Sequence, residues 1–362
     1  MRISSLFFLS VAVSTNLVAQ DVKIVGTLEQ TLKAPQTKSL TQKPATQQIK
    51  LLKIQLSDSA IQNLNKRTLA TINKSNTTIQ RSNLPRKVEL GMNNVPVLDQ
   101  GSFGSCVTFA NTGAVDAALN KGDYISQLCQ LQLGMYLEKN SYSMSGWEGS
   151  FGRLVLSQME GFGIVSKEKQ KTIGCGGLTD YPKKGLPSEE TAMSPEQYHQ
   201  LSENLNELNI VWSPILDLIN ALADRTDTNK TIHDIKIALN EQNRVTFGVL
   251  LLDFDLGFSG AVGTHNAKFD TWLLTPEIAR DIVLRPEFGG HEMIITGYDD
   301  DAVAIDDHGV EHKGLFTLRN SWGEKFGDKG DFYMSYDYFK VLVIEAQRIR
   351  NFTEDGDNVT NK

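Results

Sequence analysis

Three side chains in this 362-residue sequence could together carry out nucleophilic chemistry. Cys106 ends the run Gln100-Gly-Ser-Phe-Gly-Ser-Cys106, and the residues after it (Val107, Phe109, Ala110, Ala114, Val115) recur at helical spacing. That pattern places the thiol at the mouth of a helix, where unpaired backbone N–H groups and the macrodipole favour a thiolate. A thiolate needs an imidazole to hold its charge and later to supply a proton. His291 opens an apolar strand in Gly-Gly-His291-Glu-Met-Ile-Ile, and Asn320 in Arg-Asn320-Ser-Trp322-Gly offers an amide to orient that ring. Taken singly, a small cysteine is more often buried and inert, and a lone histidine before an apolar strand is more often structural. The argument rests on all three blocks occurring in one chain.

In the order Cys, His, Asn, these blocks resemble the papain-like cysteine peptidases of the C1 clan. The resemblance implies an α+β fold of two lobes, one helical and one an antiparallel, barrel-like sheet, with the active-site cleft between them. It implies Cys106 as nucleophile, His291 as its proton partner and Asn320 as the group orienting the imidazole. The Gln100 side-chain amide would join the Cys106 backbone N–H around an oxyanion. Trp322 would shield the His–Asn hydrogen bond from water. His291 and Asn320 follow Cys106 by 185 and 214 residues, against about 130–150 in the family, so insertions are expected between them. Phe103 stands where the family has a cysteine, and Val107 where it has an aromatic. The family's substrate shelf is reduced to Gly146-Trp147-Glu148-Gly149, with Glu148 and Gly149 as candidate cleft residues. With Cys106 reserved as a free thiol, Cys129 and Cys175 are expected to form a disulfide, two separate buried thiols being the alternative. No metal or other cofactor is expected. The same triad could serve an acyltransferase, or the fold could persist as an idle binding protein; the intact Gln100, Cys106, His291 and Asn320 set argues against idleness.

These residues need elements to hold them. Met1-Arg2, an apolar stretch from Leu6 to Val13 and Leu17-Val18-Ala19 read as a secretory signal peptide over residues 1–19, too short to span a bilayer. The odd cysteine count agrees with a secreted, periplasmic or extracellular protein. Residues 20–84 read as a prosegment: a mobile arm over 20–48, a strand from Ile49 to Leu56, then a helix capped by Ser57 or Asp58 and carrying Ile61, Leu64, Thr68 and Ile72. Residues 85–362 form the expected catalytic domain. Helices are predicted over 128–139, 153–159 and 232–239, and strands over 245–251, 293–298, 302–305, 314–320 and 331–336. Insertions are placed near 185–230, with helical stretches around 198–208 and 215–223, and near 253–288. The tail after Arg350 reads as loose.

Charge divides the chain. Residues 20–87 carry a net +9 and residues 88–362 a net −17, which suggests a prosegment held partly by attraction and acting as an internal inhibitor. A basic arm for some other anionic surface is the alternative, but no aromatic interleaving or fold motif supports nucleic acid. Asp299-Asp300-Asp301, Asp306-Asp307, His308 and His312 read as a solvated hairpin more readily than as a metal site. The expected partners are protein or peptide substrates and the chain's own prosegment, in a monomer with no membrane span.

Overall fold

The computed structural model describes residues 21–33, 46–73, 83–252, 270–284 and 288–352. The expected signal peptide, much of the 253–288 insertion and most of the C-terminal tail lie outside these residues. Among them, ten strands pair in one sheet: β1 (Val22–Lys33), β2 (Thr46–Leu56), β3 (Lys87–Glu89), β4 (Ile210–Leu216), β5 (Arg244–Leu251), β6 (Thr271–Trp272), β7 (Phe288–Ile305), β8 (Glu311–Arg319), β9 (Asp331–Ser335) and β10 (Val343–Asn351). The order is β4-β10-β5-β7-β8-β9-β6, with β2 and β3 also on β7 and β1 on β2. Pairing is antiparallel except between β6 and β9.

The expected barrel-like lobe is an open sheet. Its two ends do not meet, and both are blunted: β4 contains Pro214, tolerated at an edge because it has no N–H to donate, and β6 is two residues long. At the centre β7 is long enough for each edge to serve two partners. β5 and then β3 pair along one edge, β2 and then β8 along the other. The predicted strands 293–298 and 302–305 are therefore one strand, and Asp299–Asp301 lie within it, not in a hairpin. Asp300 is buried there, paired with Lys236 at 2.5 Å and accepting from the Tyr336 hydroxyl at 2.7 Å.

The helices are α1 (Asp58–Asn73), α2 (Cys106–Leu119), α3 (Gln127–Lys139), α4 (Gly152–Phe162), α5 (Lys167–Thr172), α6 (Pro195–His199), α7 (Leu218–Ala221), α8 (Thr228–Asn240), α9 (Pro276–Leu284) and α10 (Tyr336–Leu342). Thirteen of the fourteen residues of α2 are buried, as befits a helix that is apolar on every side. Its small residues let it lie close on β7 and β5: a Cβ at Gly113 would stand 3.4 Å from Ile294 Cδ1. α3 and α4 flank it. A disulfide joins Cys129, in the first turn of α3, to Cys175 in the loop after α5, with Cα atoms 5.0 Å apart. Cys106 is the free cysteine.

Residues 20–48 were expected to be a mobile arm, yet Val22–Lys33 forms β1 and pairs with β2 from Val22↔Leu56 to Lys33↔Thr46. Its Gln- and Thr-rich outer face lacks an apolar stripe because only Val22 and Leu32 turn fully inward. α1 begins after Ser57, whose hydroxyl accepts from Ala60 N at 3.1 Å, and it buries Ala60, Ile61, Leu64 and Thr68. Ile72, expected on that face, is exposed. In the 185–230 region, the expected helix over 198–208 is only the short α6, and 215–223 splits between the end of β4 and α7. Ile215 and Leu216 extend an edge strand paired to β10, a tertiary contact that overrides local helical spacing.

Candidate active site

Ser105 occupies the N-cap of α2 but makes no side-chain cap. Its hydroxyl lies 2.9 Å from Tyr181 Oη, which also donates to Gln100 O at 3.1 Å. The first amides of α2 are thus left uncapped beside Cys106, as an anion site there requires. Gln100 is fully buried and tethered three ways. Its backbone N–H donates to Ser321 O at 2.9 Å, its Oε1 accepts from Ser321 Oγ at 2.8 Å, and its Nε2 donates to Phe103 O at 2.8 Å. A primary amide has two N–H bonds, so one remains for a ligand.

His291 lies on β7, opposite Val249 of β5. Its Nε2 is 2.9 Å from Asn320 Oδ1, and the same Oδ1 accepts from Ser321 N at 2.7 Å. The backbone donor fixes the orientation of the amide, so Nε2 carries the proton in the neutral ring. Nδ1 is then the basic nitrogen; it has no hydrogen-bond partner among the described residues. Cys106 and His291 line one small pocket. Trp322 stacks on the imidazole with centroids 4.7 Å apart and planes 25° from parallel. The bridge between Asp99 and Trp322 ties the Gln100 loop to the Asn320 loop.

Cys106 and His291 are both buried, each 2% exposed. Burial pushes the Cys106 thiol up to about 12 and the His291 imidazole down to about 4, the latter against the opposing Asn320 hydrogen bond. In this arrangement the pair is neutral. The cover is β2, which pairs with β7 from Leu52↔Gly290 to Ile54↔Phe288, directly before His291. Leu52 and Ile54 line the pocket shared by Cys106 and His291. A Cβ at Gly149 would stand 2.4 Å from Leu52 Cδ1, and one at Gly290 2.8 Å from Ile54 Cδ1. Glycines at these places are what allow the strand to lie so close. Glu148 pairs with Lys50 at 3.0 Å, and Gln47 Nε2 donates to Asp99 Oδ1 at 2.9 Å and Gly101 O at 3.3 Å. Glu148 and Gly149 thus sit on the wall that β2 covers.

Sequence reasoning passed over Tyr181, Glu292 and Glu345. Tyr181 stacks on Trp147 at 5.6 Å and meets Phe103 and Phe109 edge-on at 5.7 and 5.2 Å. Phe103 is thereby packed into an aromatic cluster. Only tertiary structure brings Tyr181 to the loop, 81 residues from Gln100. Glu292 and Glu345 also line the pocket; burial pushes both carboxyls above the usual range, and the neighbouring Glu345 carboxyl pushes Glu292 further. A charged residue at the head of the apolar run Met293-Ile-Ile was the available signal. The aspartate and histidine run holds no metal-like cluster among the described residues; His312 faces Asp306 at 3.3 Å and His308 faces Glu277 at 2.7 Å.

The peptidase C1-like family model matches residues 265–357, which contain His291, Asn320 and Trp322. The papain-like resemblance is borne out. A search of curated proteins finds no match. Among solved structures, the chain is similar to xylellain, a cysteine protease from Xylella fastidiosa: 19% identity over 74% of this chain and 87% of that one, with a TM-score of 0.47. It is also similar to digestive procathepsin L 3 of the Tenebrio molitor larval midgut (16% identity, 79% of each chain, TM-score 0.42). A third is the proform of the ragweed pollen allergen Amb a 11, also a cysteine protease (16% identity, 74% and 66% covered, TM-score 0.44). No helix among the described residues is long and apolar enough to cross a membrane.

Proposed function

We propose that the chain is a secreted cysteine peptidase made as a zymogen, with Cys106, His291 and Asn320 as its triad and Gln100 in its oxyanion hole. The observation that carries this reading is the His291–Asn320 hydrogen bond stacked beneath Trp322, in one pocket with a thiol at the N-terminus of α2. The Cys106 proton passes to His291 Nδ1, and the thiolate attacks the substrate carbonyl carbon. The carbonyl oxygen becomes an oxyanion held by the Cys106 N–H and the free N–H of Gln100 Nε2. The imidazolium then protonates the leaving amine as the C–N bond breaks, leaving a thioester on Cys106. Water, deprotonated by His291, attacks the thioester; the acid leaves and the thiol is restored.

Residues 20–84 act as the inhibitor in this reading, with β2 lying across the cleft. The ion pairs described across that boundary, Lys50–Glu148 and Lys66–Asp224, are partly or largely exposed and contribute little each. Burial of Leu51, Leu52 and Ile54 does most of the holding, so this segment, net +7 over residues 20–84, is steered by charge but retained by apolar contact. Activation requires β2 to leave, and the peptide joining α1 to Leu84 is the segment to be cut. The test is peptide hydrolysis by the activated chain. Cys106→Ala should abolish it while the protein still folds, and full activity in that variant rejects the mechanism.

A further inference from the structure

Glu292 and Glu345 are 1% and 2% exposed and line the pocket that Cys106 and His291 share. A glycine makes room for each. A Cβ at Gly152 would lie 2.7 Å from Glu292 Oε1, and a Cβ at Gly248 would lie 2.9 Å from Glu345 Cγ. Glu345 accepts from Gly152 N at 2.8 Å, in the first turn of α4, and from Gln347 Nε2 at 3.2 Å. Glu292 Oε1 accepts from Asn111 Nδ2 at 2.7 Å, while its Oε2 makes no hydrogen bond among the described residues. Among the described residues, no lysine or arginine offsets either carboxyl. Burial without a cation disfavours the charged form of both carboxyls, and apolar residues of similar size would fill the space without buried polar groups. Packing alone does not account for the pair.

The opposite wall of the pocket is removable. It is Leu52 and Ile54 of β2, resting against Gly149 and Gly290. A substrate strand paired to β7 in the same place would put one side chain at the position of Leu52, in the pocket that the two carboxyls line. We propose that Glu292 and Glu345 are specificity-determining residues that accept a cationic side chain, Arg or Lys, from the substrate residue occupying Leu52's place. A guanidinium supplies the donors that Glu292 Oε2 lacks and can span both carboxylates. The proposal rests on the peptidase reading above and goes beyond it in naming the substrate class.

Two measurements on the full-length chain separate the proposal from that reading. In the first, the activated enzyme cleaves fluorogenic peptides that differ only in Arg, Lys, Leu or Glu at one position, scanned through the residues before the cut bond. At one position Arg should exceed Leu in kcat/KM by at least about tenfold at pH 7, and Glu345→Gln should bring the ratio below about threefold. Cleavage that favours Leu throughout, or an Arg preference that survives both Glu292→Gln and Glu345→Gln, overturns the proposal and leaves the peptidase reading standing. The second needs no cleavage: Leu52→Arg, or Leu52→Lys if the first does not fold, is made in the Cys106→Ala chain. The loss in Tm on adding the cation should be larger by at least about 3 °C when Glu345 is replaced by Gln. A loss of the same size in both backgrounds overturns the proposal even where no peptide is cleaved.

Discussion

Replacing Leu52 by Ala should uncover Cys106 without touching the groups that react. Leu52 is 5% exposed, lies against Gly149 and begins the short ladder that holds β2 to β7. Leu→Ala substitutions in well-packed sites cost about 2–5 kcal/mol. This site lies at the end of a three-pair ladder beside a pocket, so we take the lower part of that range, about 2–3 kcal/mol. If that loss falls on the closed state alone, local opening becomes about 30- to 150-fold more frequent. The assay is alkylation of Cys106 by iodoacetamide at pH 7, followed by mass. Cys129 and Cys175 are joined, so one label per chain reports the cleft directly. The rate should rise by that factor and stay insensitive to low urea, the mark of local opening. An unchanged rate would show that β2 is not the cover. A rate that climbs with urea as global unfolding does would mean Leu52 supports the whole fold instead.

Further outcomes concern the site and its support. Gln100→Ala should lower kcat by about 10²–10³-fold, or about 2.7–4 kcal/mol, with a smaller change in binding of a ground-state peptide; equal kcat would reduce Gln100 to a structural role. Tyr181→Phe keeps the aromatic cluster but removes the bonds to Gln100 and Ser105. It should cost about 1 kcal/mol in kcat with KM unchanged, and a change confined to KM would refute the bracing role. Replacing Cys129 and Cys175 by Ser should remove about 2–4 kcal/mol from unfolding stability, read from the urea midpoint; an unchanged midpoint would show that the link does not brace the fold. The closed state should be tightest at intermediate pH. His291 falls from 6.5 to about 4 on burial, so its contribution is complete above 6.5 and is lost as pH falls towards 4. Glu292 and Glu345 are raised from 4.5, so theirs is complete below 4.5 and is lost as pH rises. Amide exchange at Leu52–Ile54, normalised to intrinsic rates, should show greatest protection between these limits, and a monotonic profile would contradict it.

The candidate site was the most legible part of the sequence, because each of its residues sits in a short, ordered block. Cys106 at a helix mouth and His291 on a strand follow from local spacing, and the structure brings both to one pocket. The strand and helix of the N-terminal segment could also be read, since Leu51, Ile54, Ile61 and Leu64 alternate or recur with the right period. β1 could not, because a ribbon with one face in water hides its apolar pattern among Gln and Thr. The open sheet was equally hidden. It depends on β7 running unbroken through Asp299–Asp301, and Asp300 tolerates burial only because Lys236 and Tyr336 arrive from other elements. The placement of β2 over the cleft, and of Tyr181 and Glu345 around it, are contacts between residues far apart in the chain. No local pattern carries them.

The central claim is that Cys106 forms a covalent acyl intermediate, with His291 moving its proton. Mixing the activated chain with a slowly deacylated ester substrate and quenching in acid should trap that species for intact-mass and peptide analysis. The account predicts one acyl group per chain, on the peptide containing Cys106, absent from Cys106→Ala and formed far more slowly in His291→Ala. Turnover of the substrate with no acyl group on Cys106, or with the acyl group elsewhere, would contradict it.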